Sequence, residues 1–199
     1  KTADCTTKVV RSAEKVNTVT EKMDVAQGKL VMGFRVEQID SYRKANIARI
    51  AVALFGGTAN SLLFKNVREK LSLWYYCSAA YDRISGMMMV DSGVEPANAK
   101  KAEAAIPAEL EKLLEGPIAP EELKNARLAL ASSMAGVGDS LASMENWYFG
   151  EIMRGGRVST PEEAAARLET IGADKVRDIL CRFTLSVSYL VTQKEETHG

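Results

Sequence analysis

Histidine is nearly absent. The single one, His198, stands next to the last residue of a 199-residue chain. A catalytic zinc takes at least one or two histidine ligands held on rigid structure, and one histidine on a fraying terminus does not supply them. The same scarcity excludes Ser-His and Cys-His nucleophile pairs within the chain. A serine or threonine with lysine stays formally open, but no spacing points to it. Cysteine is sparse as well, with only Cys5, Cys77 and Cys181. Three cysteines this far apart give neither a disulfide framework nor a clustered zinc site. Cys77 and Cys181 read as small buried hydrophobes in a reducing compartment, so a cytoplasmic location is expected. Net charge is missing too: 26 Lys and Arg balance 26 Asp and Glu. A neutral chain has no field to hold nucleic acid or an anionic membrane. No apolar run approaches the roughly 18 residues of a membrane span. The start, Lys1-Thr2-Ala3-Asp4, is neither an initiating Met nor a signal peptide, as expected of a processed product or a piece of a longer protein.

What is present is an ordinary globular balance, 46% hydrophobic and 26% charged. A domain of this length hides roughly 70% of its unfolded surface, enough for one sizeable core. Residues 1–24 are polar and weakly patterned and read as a linker or interdomain connector, although Val16 and Val19 would also suit a short strand. One domain is expected over 25–199. Lys29 to Val36 is short and rich in β-formers, so it reads as a strand. Asp40 or Ser41 can cap a helix whose Ile47, Ile50, Ala51 and Leu54 share one face. Gly56-Gly57 is expected to end it by turning through left-handed geometry. A second helix follows from about Ala59 to Lys70. Leu73–Tyr81 and Met87–Val94 form a hairpin around the turn at Asp82–Gly86.

Helices follow over Ala97–Glu115, Pro120–Ala135 and, with Asp139 as cap, to Met153. Thr160-Pro161-Glu162-Glu163 is a capping box opening another helix, and Asp174–Cys181 is a short one. Leu185–Val191 alternates as a final strand. This order predicts an α+β fold, an antiparallel sheet with helices packed on one face.

One segment carries a family likeness. Leu54-Phe55-Gly56-Gly57, Asn60-Ser61-Leu62-Leu63-Phe64 and Val67-Arg68-Glu69-Lys70-Leu71-Ser72-Leu73-Trp74-Tyr75 resemble the second domain of the pitrilysin/insulinase-like zinc metallopeptidases, the superfamily of mitochondrial processing peptidase. The likeness extends through Gln27-Gly28-Lys29-Leu30, the hairpin and the junction from Gly116 to Glu122, about Val25 to Val191 in all. In that family an inverted H-x-x-E-H helix in another domain holds the zinc, and no such motif occurs here. The resemblance therefore implies a non-catalytic half with no cofactor of its own. Its implied partners are a zinc-bearing homologous domain or subunit and a peptide substrate. It also implies a site. The family's non-catalytic half supplies an Arg and a Tyr seven residues apart, which Arg68 and Tyr75 match. A guanidinium and a phenol held rigidly stabilise the negative charge that grows on a peptide carbonyl under attack. Leu71-Ser72-Leu73-Trp74 departs from the family's usual charged-Gly-Leu-Ala type of sequence, and Tyr76 is an equal phenol by eye. A structural subunit of the same fold with no chemical role is the alternative.

Other features read as structure. Gly56-Gly57-Thr58 lacks the lysine and the spacing of a phosphate loop. Met87-Met88-Met89 alternate faces on a strand and read as core filling rather than soft-metal ligands. Asp139, Glu145 and Glu151 fall at intervals that share no helix face. Trp147-Tyr148-Phe149 is an aromatic cluster for the core or an interdomain contact.

Overall fold

The computed structural model describes residues 10, 12–37, 39, 41–69, 74–82, 85–153 and 158–194, with only the backbone of Val67, Arg68, Glu69 and Trp74. The chain begins with β1 (Asn17–Met23) and β2 (Gly28–Val36), then α1 (Tyr42–Val52), which runs on as a π-helical segment (Ala53–Gly57). A second π-helical segment (Leu63–Glu69) leads to the hairpin of β3 (Trp74–Asp82) and β4 (Met87–Val94). Helices α2 (Ala99–Glu115), α3 (Pro120–Ala135), α4 (Leu141–Met153), α5 (Pro161–Leu168) and α6 (Ala173–Leu180) follow, and β5 (Phe183–Gln193) returns to the sheet.

The five strands lie in the order β1-β5-β2-β4-β3. Every neighbouring pair is antiparallel except β1 with β5. The α+β fold is as the sequence predicts, with two corrections. The sheet is mixed at one edge, and Asn17–Met23, placed in the connector by composition, is the strand that makes it so. Its Asn-Thr-Val-Thr-Glu-Lys-Met sequence is too polar to signal a buried strand. It takes its place at the rim through backbone pairing along β5, where an edge strand needs little apolar side chain.

Period-2 burial shows which face is covered. Leu30, Met32, Phe34 and Val36 on β2, and Met88, Val90 and Val94 on β4, are at most 1% exposed. Their alternates Val31, Arg35 and Asp91 are only half-buried, and Met89 is exposed. The helices therefore pack on the first set, as side-chain alternation along a strand requires. A bulge between Gly33 and Phe34 leaves Ser186 of β5 without an opposite residue, and its hydroxyl donates to the Gly33 carbonyl at 3.1 Å. On α2, Ala102, Ile106, Leu110 and Leu113 form a buried stripe at helical spacing, and the helix lies against β2 and β5. Helix α1 is buried on nearly all sides and contacts α3, α5, α6 and β3. Ser41 caps it, accepting from the Lys44 amide at 3.3 Å.

Glycines mark two tight places. Gly86, at φ 66°, turns the β3–β4 hairpin, and Asp82 accepts from the amides of Ser85 and Gly86 there. Gly56 and Gly57 do not adopt left-handed geometry, which corrects the expectation for them. They permit contact instead: a Cβ on Gly56 would fall 2.7 Å from that of Ala79 on β3. Two smaller corrections concern termini. The residue that caps α4 is Ser140, accepting from Ser143 N at 3.1 Å, rather than Asp139. Cys181, expected in the core, is exposed at the end of α6, while Cys77 is buried.

Candidate functional site

A zinc ion does not fit the donors that are described. Among the described residues no group of three or more His, Cys, Asp and Glu could hold a metal. His198 and Cys5 lie outside them. The Cys77 thiol is pushed up to about 12, by burial first and by the charge of Asp91 second, the opposite of what a thiolate ligand needs.

The implied site residue that is described in full is Tyr75. Trp74 pairs with Val94 and Tyr76 with Gly93, so Tyr75 is the extra residue of a β-bulge. Regular alternation would place it on the side of Cys77 and Ala79, both in the core. The bulge turns it outward instead, at 54% exposure. Bulges commonly re-aim a side chain in this way. Its hydroxyl donates to Glu95 at 3.4 Å, a carboxylate that also accepts from the Asn98 amide at 3.1 Å. Tyr76 has another environment. Its ring lies across Gly93, where a Cβ would come within 2.6 Å of it, and its hydroxyl donates to Asp91 at 3.2 Å. Burial, and after it the nearby Asp91 charge, raises its pKa. Of the two adjacent phenols, Tyr75 is the one presented to solvent on edge strand β3.

Arg68 belongs to the second π-helical segment, which packs on β3 and α2. Its side chain, and residues 70–73 between it and β3, lie outside the described residues. The segment is anchored by Leu63, fully buried, and by Asn66, whose amide donates to Glu109 of α2 at 2.7 Å. Glu109 is 5% exposed and accepts from Lys112 as well, at 2.7 Å. Sequence reading missed this carboxylate. The available signal was its register, since Glu109 falls three residues after Ile106 and four before Leu113 on the apolar stripe of α2.

A cavity of about 180 Å³ opens beside Ala79–Tyr81 on β3, walled by Arg49, Val52, Gly57 and Leu130. A larger one, about 910 Å³, lies at the other edge of the sheet between β1, β5 and the start of α2, with Lys22, Lys100, Lys194 and Glu103 on its walls. The remaining candidates are structural. Met88 is core, while Met89 is 48% exposed, so the methionine run is divided between faces. Glu151 is buried and accepts from the Ser159 amide at 3.2 Å, apart from the exposed Asp139 and Glu145. The Trp147 indole donates to the Ser159 carbonyl at 2.9 Å.

A family model described as the peptidase M16 inactive domain matches residues 7–130. The chain belongs to that family, the non-catalytic domain of a zinc-protease family. It is 25% identical over 178 residues to the "probable inactive metalloprotease YmfF" of Bacillus subtilis strain 168, covering 89% of this chain and 41% of that protein. It is likewise 25% identical over 161 residues to an uncharacterized zinc protease of Rickettsia bellii, covering 79% of this chain and 38% of that one. The chain thus spans about two fifths of the length of these relatives. In fold it is similar to a conserved protein from Enterococcus faecalis V583, with TM-score 0.83 and 24% identity, over 96% of this chain and 44% of that one. An inactive peptidase domain from Bordetella parapertussis matches with TM-score 0.70 and 15% identity, over 90% of this chain and all of that one. No helix among the described residues is long and apolar enough to cross a membrane.

Proposed function

We propose that this chain is the accessory half of a zinc-dependent peptidase, which packs against a zinc-bearing homologous domain, closes a chamber around a peptide and offers Arg68 and Tyr75 to the scissile carbonyl. The observation that carries this reading is the bulge that delivers the Tyr75 phenol to solvent from an edge strand. Negative charge grows on a carbonyl oxygen under attack. A phenol O–H and a guanidinium N–H that are already in place stabilise that charge without reorganising. The free edge of β3 also suits an extended peptide, which would add as a further strand. The active protease would be the assembly, and this chain alone would cleave nothing.

The test reconstitutes the chain with its zinc-bearing partner and follows peptide cleavage. Arg68→Ala and Tyr75→Phe should each lower turnover by roughly 10²–10³, with a smaller change in substrate affinity. The double change should cost less than the two singles combined, because both donors serve one oxygen. Tyr76→Phe is the control, and a large effect there with none at Tyr75 would shift the assignment by one residue.

A second reading, a structural subunit with no part in chemistry, is favoured by the contact of the Tyr75 hydroxyl with Glu95 of its own chain. That reading wins if neither Arg68→Ala nor Tyr75→Phe changes turnover while the complex still forms.

A further inference from the structure

Helix α4 carries its apolar residues on the outside. Leu141 is 85% exposed, Ile152 65%, Phe149 61% and Met153 58%. At 100° per residue Leu141 and Ile152 fall almost in line, with Phe149 and Met153 beside them. The opposite side meets the domain through Trp147 and Glu151, each bonded to Ser159. These two bonds fix the rotation of the helix, so it cannot roll its apolar face inward without breaking both. A contiguous apolar surface of this kind is uncommon on a monomer and marks a contact. Exposed Asp139 and Glu145 border it, the polar rim around an apolar centre that interfaces show.

We infer that this face of α4 is the surface on which the zinc-bearing homologous domain docks, an inference that rests on the accessory-half reading. Two observations select that occupant. The first is size: the chain accounts for 41% of one relative and 44% of a structural neighbour, which leaves room for another domain of this size in each. The second is position. Arg49 stands 6.0 Å over the Trp147 ring of α4 and also walls the cavity beside Ala79–Tyr81. The α4 face is therefore on the flank of β3, and a partner bringing its active site to Tyr75 meets α4 next. With a formal net charge of zero the chain exerts no long-range steering, so docking rests on apolar contact.

The test uses the full chain and the purified zinc-bearing domain, recognised by its H-x-x-E-H motif in the same parent sequence or a neighbouring gene. Hydroxyl-radical footprinting reads Met144, Phe149 and Met153 directly, and their oxidation should fall about fivefold or more in the complex, as water is excluded from an interface centre. Leu141→Glu and Ile152→Glu, both at exposed positions, should leave the circular dichroism unchanged and weaken the complex by about tenfold or more. A complex that forms with α4 still fully oxidised overturns the docking surface and leaves the accessory reading standing. A chain that dimerises by itself in sedimentation, with α4 protected, assigns the face to a second copy and overturns the inference. No complex under any condition overturns the accessory reading and the docking surface with it.

Discussion

The side-chain amide of Asn66 donates across 2.7 Å to the buried carboxylate of Glu109, and so ties the helical segment bearing Arg68 to the middle of α2. Hydrogen bonds to charged groups contribute about 1.5–3 kcal/mol. Glu109→Ala should lower the unfolding free energy by about that amount in a urea titration. Glu109→Gln keeps the volume and an acceptor and should lose less. An Ala variant that unfolds at the wild-type midpoint would mean the contact holds nothing.

Tyr75→Phe should leave stability within about 0.5 kcal/mol of wild type, since it removes only an exposed hydroxyl with a 3.4 Å contact. Thermal melting checks this. The measurement matters because it decides whether lost cleavage in a reconstituted enzyme reflects chemistry or folding.

Gly93→Ala should destabilise by about 1–3 kcal/mol, the usual range for overpacking. The new methyl would lie 2.6 Å from both the Tyr76 ring and the Gln27 amide. In a Tyr76→Ala background much of the penalty should vanish, because residues in contact are not additive. Equal penalties in both backgrounds would assign the strain to the Gln27 side.

Cys77 gives a pH dependence whose sign follows from its burial. A free thiol titrates near pH 8.5, and here the folded thiol is pushed up to about 12. The stabilisation is whole below the unfolded pKa and is lost as pH climbs from there towards 12, because the unfolded chain releases its proton first. The urea midpoint of the wild type should therefore fall more steeply between pH 8 and 10.5 than that of Cys77→Ala. In native protein at pH 8, alkylation mapped by mass spectrometry should modify Cys181, which is exposed, well before Cys77. Rapid modification of Cys77 would contradict the burial.

Local patterning made most of the elements legible. Alternation revealed β2 and β4, and the capping box at Thr160 was read correctly, with Glu163 N bonded to the threonine hydroxyl at 3.2 Å. What stayed hidden depends on partners distant in sequence. Strand β1 is polar and exists through its pairing with β5. The bulge at Tyr75 arises from the register of β3 against β4, so no local pattern distinguishes Tyr75 from Tyr76. The glycine pair at 56–57 looked like a turn because its true constraint, Ala79, lies more than twenty residues away. Seven-residue spacing singled out Arg68 through family likeness alone, and its side chain lies outside the described residues.

The place of β5 has a consequence for biosynthesis. The strand made last enters the sheet between the two made first, β1 on one side and β2 on the other. Until the ribosome has released that stretch, β1 has no neighbour and β2 has one bare edge. These are pairings of long sequence separation, which form slowly. The nascent domain must therefore wait for its final strand, with two apolar-faced hairpin partners exposed in the meantime, a period in which a chaperone or an already folded partner domain would do the most good.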